Sequence, residues 1–260
     1  MYIEVILFAL FGLVIGSFCN VLIYRLPQGI RIGLSRSRCP GCGVNIKSYD
    51  NIPILSFLLL HGKCRSCGCK ISPRYPLVEL SVCLLWIAPA LLGQPIQQAL
   101  ISALFTTVLA VIAIIDFEHL IIPDSLVVAI AVLSVPCFAM QIPPHWLDRL
   151  IGGVASGAFF YLLAFVSEKL LKKDGMGGGD IKLVAAAGLM LGWQLSALAL
   201  GLGAVVALLM IVLMKLFGHG LNEEKQIPFA PALTIAMAIS YYFGDELIHW
   251  YLHLFLDHQH

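Results

Sequence analysis

Charged residues are scarce in this chain. Lysine, arginine, aspartate and glutamate together make up 12% of its 260 residues, whereas hydrophobic residues make up 60%. The mean hydropathy of +0.92 is far above that of a water-soluble domain of this length. The composition therefore excludes an ordinary soluble protein and predicts a membrane protein.

The chain also lacks a large excess of charge of either sign. Its formal net charge at pH 7 is +1, which disfavours a nucleic-acid partner, because such partners select an extended basic surface. No basic segment precedes the first apolar run, from about Tyr2 to Tyr24, and this run is long enough to cross a bilayer. We therefore interpret it as a retained membrane helix and not as a cleaved secretory signal.

Further apolar segments bring the total to about eight candidate membrane spans and predict an all-α polytopic fold. The segment from Ile181 to Leu191 is shorter than the roughly 20 residues that a spanning helix needs, so we expect it to be tilted, to start in a re-entrant loop or to run longer. The other segments are Leu77–Leu92, Gln98–Ile115, Ile121–Met140, Leu150–Val166, Ser196–Leu216 and Ala230–Leu252.

The basic residues segregate to one side of this predicted topology. If the spans alternate across the bilayer, fifteen of the sixteen lysines and arginines fall on one side and Arg149 alone falls on the other. The positive-inside rule assigns the basic side to the cytoplasm, which places the amino terminus outside. On that side the basic residues also suit contact with anionic lipid headgroups. The predicted parts are a first membrane helix (1–25), a cytoplasmic cysteine-rich domain (26–75) and a membrane domain (76–260).

Four of the eight cysteines form two Cys-x-x-Cys pairs, Cys39 with Cys42 and Cys64 with Cys67, separated by twenty-one residues. This pattern is typical of a tetrahedral four-cysteine zinc site. Because the topology places the loop in the reducing cytoplasm, zinc is favoured over disulfides. Four cysteine ligands leave no open position, so we predict a structural zinc ion that stabilises the loop. Cys69 is an alternative ligand to Cys67.

Several acidic residues lie within or at the edge of apolar segments. A carboxylate there is costly unless it faces a wet cavity, forms an ion pair or takes part in function. Asp116 ends one predicted helix, and Asp124 begins the next after Pro123. Asp124 therefore has an alternative explanation as a helix N-cap in a favourable dipole. The remaining acids of this kind are Glu79, Glu118 and Asp180.

Asp180 follows the glycine run Gly177–Gly179 and opens an apolar helix on the same side as Asp116. The glycines permit close approaches that other residues do not. Two carboxylates from different helices at one depth suit aspartyl proteolysis, in which the ionised acid accepts a proton from water and the protonated acid polarises the scissile carbonyl. An ion-coupled transporter with the same carboxylates is one alternative, and a simple helix cap is another.

The motifs resemble, in order and spacing, those of the type IV prepilin peptidases, a family of GxGD aspartyl peptidases. Gly177–Asp180 fits the GxGD signature, and the paired cysteines precede it. The resemblance extends over nearly the whole chain. The other matching segments are Gly16–Val21, Tyr24–Pro27, Asp50–Pro53, Tyr75–Glu79 and Ile227–Pro231.

The resemblance implies that Asp116 and Asp180 are the catalytic aspartates of an endopeptidase. Members of the family remove the basic leader of type IV prepilins or pseudopilins, after a glycine, at the cytoplasmic face of the bacterial inner membrane. The supporting candidates are Asp124, Gly177, Gly179 and Lys182.

The resemblance also implies N-methylation of the new amino terminus, with S-adenosylmethionine as the methyl donor, and associates Glu79, Asn20 and Asp50 with it. The chain lacks a Rossmann-type glycine fingerprint that would support this activity independently. It departs from the family pattern at Ala230, where glycine is usual, and we expect that position to lie away from the two aspartates. The histidines of the tail, residues 249–260, favour an amphipathic end at the interface over a metal site.

Overall fold

The computed structural model describes residues 2–33, 37–171, 177–216 and 228–256. Within these residues the chain is helical, and its β-type contacts are two isolated bridges in the cysteine-rich loop. The predicted all-α fold is therefore confirmed. The helices are α1 (Tyr2–Arg25), α2 (Leu55–Leu59), α3 (Arg74–Leu91), α4 (Ile96–His119), α5 (Asp124–Ala139), α6 (Trp146–Leu171), α7 (Gly178–Leu216) and α8 (Ala230–Leu256).

Five of the described helices, α1, α3, α4, α6 and α7, are long and apolar enough to cross a membrane. Helix α5 is also apolar, but it has only 16 residues. Backbone groups in a bilayer must be satisfied within the segment, which is why long apolar runs become helices. The fold is thus that of a polytopic membrane protein, and the number of eight crossings stays a prediction.

Helix α7 contains the two segments that we predicted as the sixth and seventh spans. Its dihedral angles leave the helical region at Gly192 (φ 75°, ψ 172°). Val184 and Leu200 line the same small cleft, although they would lie about 24 Å apart along a straight helix. Residues 178–191 and 193–216 therefore lie side by side as a helical hairpin. The short sixth segment does run longer than the apolar pattern indicated, because it begins at Gly178.

The chain divides into two compact units, Met1–Thr107 and Val108–His260. In the first unit, α1 and α3 pack closely because α1 carries glycines at the contact. A Cβ at Gly12 would come within 2.8 Å of Cys83 Cα, and a Cβ at Gly16 within 2.7 Å of Glu79 Cα. Where lipid replaces water, small residues of this kind let helix backbones approach and make van der Waals contact.

In the second unit, α7 packs against α5, α6 and α8. The contact between α6 and α7 again uses glycines, since a Cβ at Gly188 would come within 2.5 Å of the Gly152 carbonyl oxygen. Ile130, Leu183 and Leu233 are fully buried. This packing fixes the first half of α7, which begins with the glycine run and Asp180.

Candidate active site and metal site

Asp116 lies in the last turn of α4, three residues before that helix ends at His119. It is buried, with 7% of its surface exposed, and its Oδ2 accepts a hydrogen bond of 3.1 Å from the backbone N–H of Ala230. Ala230 is the first residue of α8, where N–H groups have no partner within the helix and the dipole favours an anion. The expectation that Ala230 lies away from the aspartates is therefore wrong.

Asp180 lies in the first turn of α7 and is half-buried. Its backbone N–H donates to the carbonyl oxygen of Gly177 at 3.0 Å. Gly179 lies against the connection between α4 and α5, since a Cβ at this position would come within 3.0 Å of Ile122 Cβ. At Gly178 a Cβ would meet no atom within 4 Å. Position 179 is therefore tightly packed, whereas position 178 is open.

The carboxyl groups of Asp116 and Asp180 interact electrostatically. They are carried by α4 and α7, at the ends of the two helices that meet around Ile122 and Gly179. Two ionised carboxylates repel each other, and one shared proton removes that repulsion. The structure therefore brings Asp116 and Asp180 together. The short α4–α5 connection and the predicted topology had placed these two acids at the same depth in the membrane.

Asp124 forms an ion pair with Lys182, with 2.8 Å between Oδ1 and Nζ. Pro123 occupies the N-cap position of α5, and Asp124 is the first helical residue. The interpretation of Asp124 as an N-cap is therefore wrong, although the carboxylate still lies at the favourable end of the helix dipole. Both side chains are exposed, so the pair contributes at most about 1 kcal/mol. Its effect is to join the first turns of α5 and α7.

Glu79 lies on α3 and is buried, with 8% of its surface exposed. Its Oε2 accepts a hydrogen bond of 2.7 Å from the backbone N–H of Ile54. Ile54 has a φ of 59°, which is a strained conformation for a β-branched residue. The buried carboxylate therefore holds the cysteine-rich loop against α3 at its most strained position.

Asn20 lies on α1, at the interface with α3, and is buried. Its Nδ2 donates to the carbonyl oxygens of Tyr75 at 3.1 Å and Gly16 at 3.4 Å. Gly16 is also the residue that contacts Glu79, so Asn20 and Glu79 belong to one buried polar cluster. The Oδ1 of Asn20 has no hydrogen-bond partner among the described residues. An unpaired buried acceptor of this kind is costly and available to a donor from a ligand.

Asp50 lies apart from this cluster, in the cysteine-rich loop. Its carboxylate accepts three hydrogen bonds of 2.7–3.0 Å from Arg65. This guanidinium holds the pKa of Asp50 below its usual range. Asp50 therefore joins the segment between the paired cysteines to the second cysteine pair.

The structure gathers four thiols within 4.8 Å of one another, on Cys39, Cys64, Cys67 and Cys69. This set differs from the predicted one in a single ligand, because Cys69 takes the place of Cys42. Cys42 is exposed and lies at the edge of the cluster, where its thiol contacts those of Cys67 and Cys39. Two similar turns produce the arrangement, since the N–H of Gly43 donates to the Cys39 carbonyl and that of Gly68 to the Cys64 carbonyl.

The electrostatics of the cluster suit a cation. The backbone N–H of Cys42, followed by the thiol of Cys69, lowers the pKa of Cys39 to about 6. Hydrogen bonds to Cys67 and Cys39 raise the pKa of Cys69 to about 12. The sulfur of Cys39 lies 3.9 Å from that of Cys67 and 3.3 Å from that of Cys69. Zinc–sulfur bonds of about 2.3 Å place ligand sulfurs about 3.8 Å apart, so this donor set fits a tetrahedral metal ion.

One contributor to the site was missed in the sequence. It is the Ala230 N–H, for which the proline-rich start of α8 was the available signal. Some predicted features lie outside the described residues: positions 172–176, Ile227 and the end of the histidine tail (257–260).

These features define an all-helical membrane protein that joins two aspartates at helix ends and carries a separate thiol cluster. Residues 10–92 match the family model described as "Bacterial Peptidase A24 N-terminal domain", and residues 103–214 match that of the "Type IV leader peptidase family". The chain belongs to the type IV leader peptidase family, so the resemblance seen in its motifs is confirmed.

Relatives from three bacteria are similar to the chain over nearly its whole length. A protein of Aeromonas hydrophila is 37% identical over 95% of this chain and 93% of its own length. A protein of Vibrio cholerae is 33% identical over 93% of this chain and 97% of its own length. A protein of Bacillus subtilis is 32% identical over 95% of this chain and 97% of its own length. Each is named "Prepilin leader peptidase/N-methyltransferase". No solved structure matches the chain.

Proposed function

We propose that this chain is a membrane-embedded aspartyl endopeptidase that removes the leader of type IV prepilins or pseudopilins, with Asp116 and Asp180 as its catalytic pair. The observation that supports the pair most directly is that the two acids lie at the ends of α4 and α7, which adjoin where Gly179 packs against Ile122. The family and the names of the relatives support the substrate class. The comparisons give no support to the transporter alternative.

The environments of the two acids give them different roles in the proposed reaction, one as a base and the other as an acid. Asp116 accepts a backbone N–H at the N terminus of α8, so it serves as the ionised base that takes a proton from water. Asp180 is the protonated acid that polarises the scissile carbonyl. The water oxygen then bonds to the carbonyl carbon, the C–N bond breaks, and the departing amine takes up a proton from the pair. The products are a leader with a free carboxylate and a pilin with a new amino terminus.

The reaction takes place at the cytoplasmic face of the bacterial inner membrane. Fifteen of the sixteen basic residues belong to the side that carries the two aspartates, which supports this orientation. The apolar helix of the prepilin packs among the membrane helices, and its basic leader stays in the cytoplasm. The segment to be cleaved extends along the glycine run, where Gly178 leaves open space and Gly177 lies beside the Asp180 carboxylate.

N-methylation of the new amino terminus takes place at the cluster of Glu79 and Asn20. The residues fit the reactants, because a buried carboxylate and an unpaired buried amide oxygen attract an amine or a cationic methyl donor. S-adenosylmethionine supplies the methyl group when it is bound. Glu79 and Asn20 hold the groups that react and keep water away from them. Asp50 supports the loop through Arg65 instead of contacting the reactants.

The thiol cluster holds a structural zinc ion, with Cys39, Cys64, Cys67 and Cys69 as its ligands. The loop has few buried apolar residues of its own, so the metal supplies much of the free energy that folds it. Four thiolates leave no open coordination position, and the ion takes no part in the chemistry.

The experiment that tests the proposed function uses the purified full chain in lipid. It is incubated with a prepilin, with and without S-adenosylmethionine, and the products are weighed by mass spectrometry. Without the methyl donor, the pilin is expected to lose only its leader. With the donor, the pilin is expected to lose its leader and to gain one methyl group. A prepilin that stays intact in both incubations contradicts the proposal.

A further inference from the structure

Arg149, near the start of α6, is the largest of the fully buried side chains, with 1% of its surface exposed. Its guanidinium has five N–H donors, and it makes five hydrogen bonds to backbone carbonyl oxygens. Nε donates to Pro144 at 3.1 Å, Nη1 to Leu189 at 3.0 Å and Met190 at 2.7 Å, and Nη2 to Ile142 at 3.1 Å and Pro143 at 2.9 Å.

Two of these acceptors explain why a cation is buried at this place. Leu189 and Met190 lie in the last turn of residues 178–191, just before the helix breaks at Gly192. Carbonyl groups in the last turn of a helix lack partners within it, and the negative end of the dipole lies there. Arg149 therefore caps the first half of α7 and joins it to the segment that leads into α6.

The same end of this helix half is in backbone contact with α6. A Cβ at Gly152 would come within 2.6 Å of the Gly192 carbonyl carbon and 2.7 Å of the Gly188 carbonyl oxygen. Gly188 and Gly192 are spaced as in a GxxxG motif, as are Gly153 and Gly157 on α6, and this spacing favours close helix contact. The guanidinium hydrogen bonds set the axial position of the helix half, and the glycine contact sets its distance from α6.

Asp180 is carried by the opposite end of the same helix half, about 20 Å away along the axis. A regular helix of this length transmits a shift or rotation from one end to the other. At the Asp180 end the contacts outside the helix are the exposed Lys182–Asp124 pair, which is weak, the small contact of Gly179 with Ile122 and the apolar packing of the fully buried Leu183. Apolar packing is not directional, whereas the hydrogen bonds of Arg149 at the Gly192 end are, so these bonds fix the position of the helix half along its axis and with it the depth of Asp180.

We propose that Arg149 is a positioning residue for Asp180: by capping the first half of α7 from α6, it fixes the depth and rotation of the carboxyl group relative to Asp116. The proposal rests on the catalytic role proposed for Asp180. It also accounts for the one basic residue that lies on the side opposite the others, since the positive-inside rule selects against a cation there unless the fold requires it.

The test compares the full-length chain with Arg149→Lys and Arg149→Met variants in lipid. Lysine keeps the charge and three donors, whereas methionine keeps only the volume. Leader cleavage is measured as kcat and KM, and methyl transfer is measured separately on a pilin that has already lost its leader. Cys83→Ala serves as the control, because it removes a partly buried hydrogen bond to the Ala9 carbonyl oxygen (3.5 Å) from a residue of α3, a helix that carries neither aspartate.

We expect Arg149→Met to lower the kcat for cleavage by about 10- to 100-fold, because a displacement near 1 Å is enough to cost that much. KM changes less than twofold, and Arg149→Lys lies between Arg149→Met and the parent in kcat. Methyl transfer by the Arg149 variants and leader cleavage by the Cys83→Ala control stay within twofold of the parent. If Arg149→Met fails to fold, the proposal is tested by the rates of cleavage and methyl transfer of Arg149→Lys. Equal loss of cleavage and methyl transfer in Arg149→Lys, or parental cleavage in either variant, overturns the proposal. Parental cleavage by Asp180→Asn overturns the proposed function instead.

Discussion

Lys182 and Asp124 form an ion pair with 2.8 Å between Nζ and Oδ1. The two residues are 58 positions apart in the sequence, and they join the first turn of α7 to the first turn of α5. Lys182 lies two residues after Asp180, and Asp124 lies eight residues after Asp116. It therefore borders the proposed catalytic pair without belonging to it.

Removing either partner of this ion pair is expected to lower the rate of leader cleavage by less than about tenfold, because an exposed pair contributes little free energy. Asp124→Asn, Lys182→Met and the double variant are compared by initial rates of cleavage. The double variant should lose no more than either single variant, since all three remove the same interaction. A loss of more than about a hundredfold in Asp124→Asn alone would instead indicate a direct catalytic role for that acid.

Gly179→Ala is expected to lower the cleavage rate by about tenfold, because the added methyl group would come within 3.0 Å of Ile122 Cβ and push Asp180 away from its place. Gly178→Ala is the matched control, since a Cβ there meets no atom within 4 Å. Shortening the neighbour in the double variant Gly179→Ala/Ile122→Ala should restore part of the rate. Equal effects of the two glycine substitutions would contradict the steric explanation.

The metal site predicts different outcomes for neighbouring cysteines. Cys39→Ser and Cys69→Ser should each lose the bound zinc, whereas Cys42→Ser should retain it, because the four clustered thiols include Cys69 and not Cys42. Metal content per chain is measured after purification, and limited proteolysis reports whether the loop unfolds when zinc is lost. Cys83→Ala, a buried residue of α3 outside the loop, is the control. If Cys69→Ser retains zinc and Cys42→Ser loses it, the result would instead support the ligand set predicted from the sequence, in which Cys42 is a ligand.

Glu79→Gln is expected to reduce methyl transfer at least tenfold while leader cleavage continues. Glutamine keeps the size and one acceptor for the Ile54 N–H but removes the negative charge that attracts an amine or a cationic donor. Asp50→Asn and Arg65→Met should resemble each other and have smaller effects, since both break one ion pair on the loop. Equal loss of cleavage and methyl transfer in Glu79→Gln would indicate a structural role instead.

Several features were predictable because a membrane restricts the secondary structure that a spanning segment can adopt. The apolar run Gln98–Ile115 corresponds to α4 (Ile96–His119), since spanning segments must be helical. The convergence of Asp116 and Asp180 followed from a short connection and from counting helices. Neither inference required knowledge of side-chain contacts.

Other features depend on contacts that local patterns do not contain. Asp124 looked like a helix cap, but its partner Lys182 is far away in the sequence. The paired spacing predicted Cys42 as a ligand, and only the folded turns show that Cys69 enters the cluster in its place. The break at Gly192 agrees with the predicted boundary between the spans Ile181–Leu191 and Ser196–Leu216, but the start of the first of them at Gly178 depends on contacts of the glycine run that the apolar pattern does not contain.

The pairing of Asp116 and Asp180 is tested most directly by replacing each with asparagine, which keeps the shape but can neither accept nor donate the catalytic proton in the same way. Glu118→Gln, a change at an exposed acid two residues from Asp116, is the matched control. Cleavage of a prepilin is followed by the mass of the product, and methylation of an already cleaved pilin shows that each variant is folded. We expect both asparagine variants to lose about a thousandfold or more in cleavage rate, with methylation retained and the control active. Cleavage by either variant within tenfold of the parent would contradict the account.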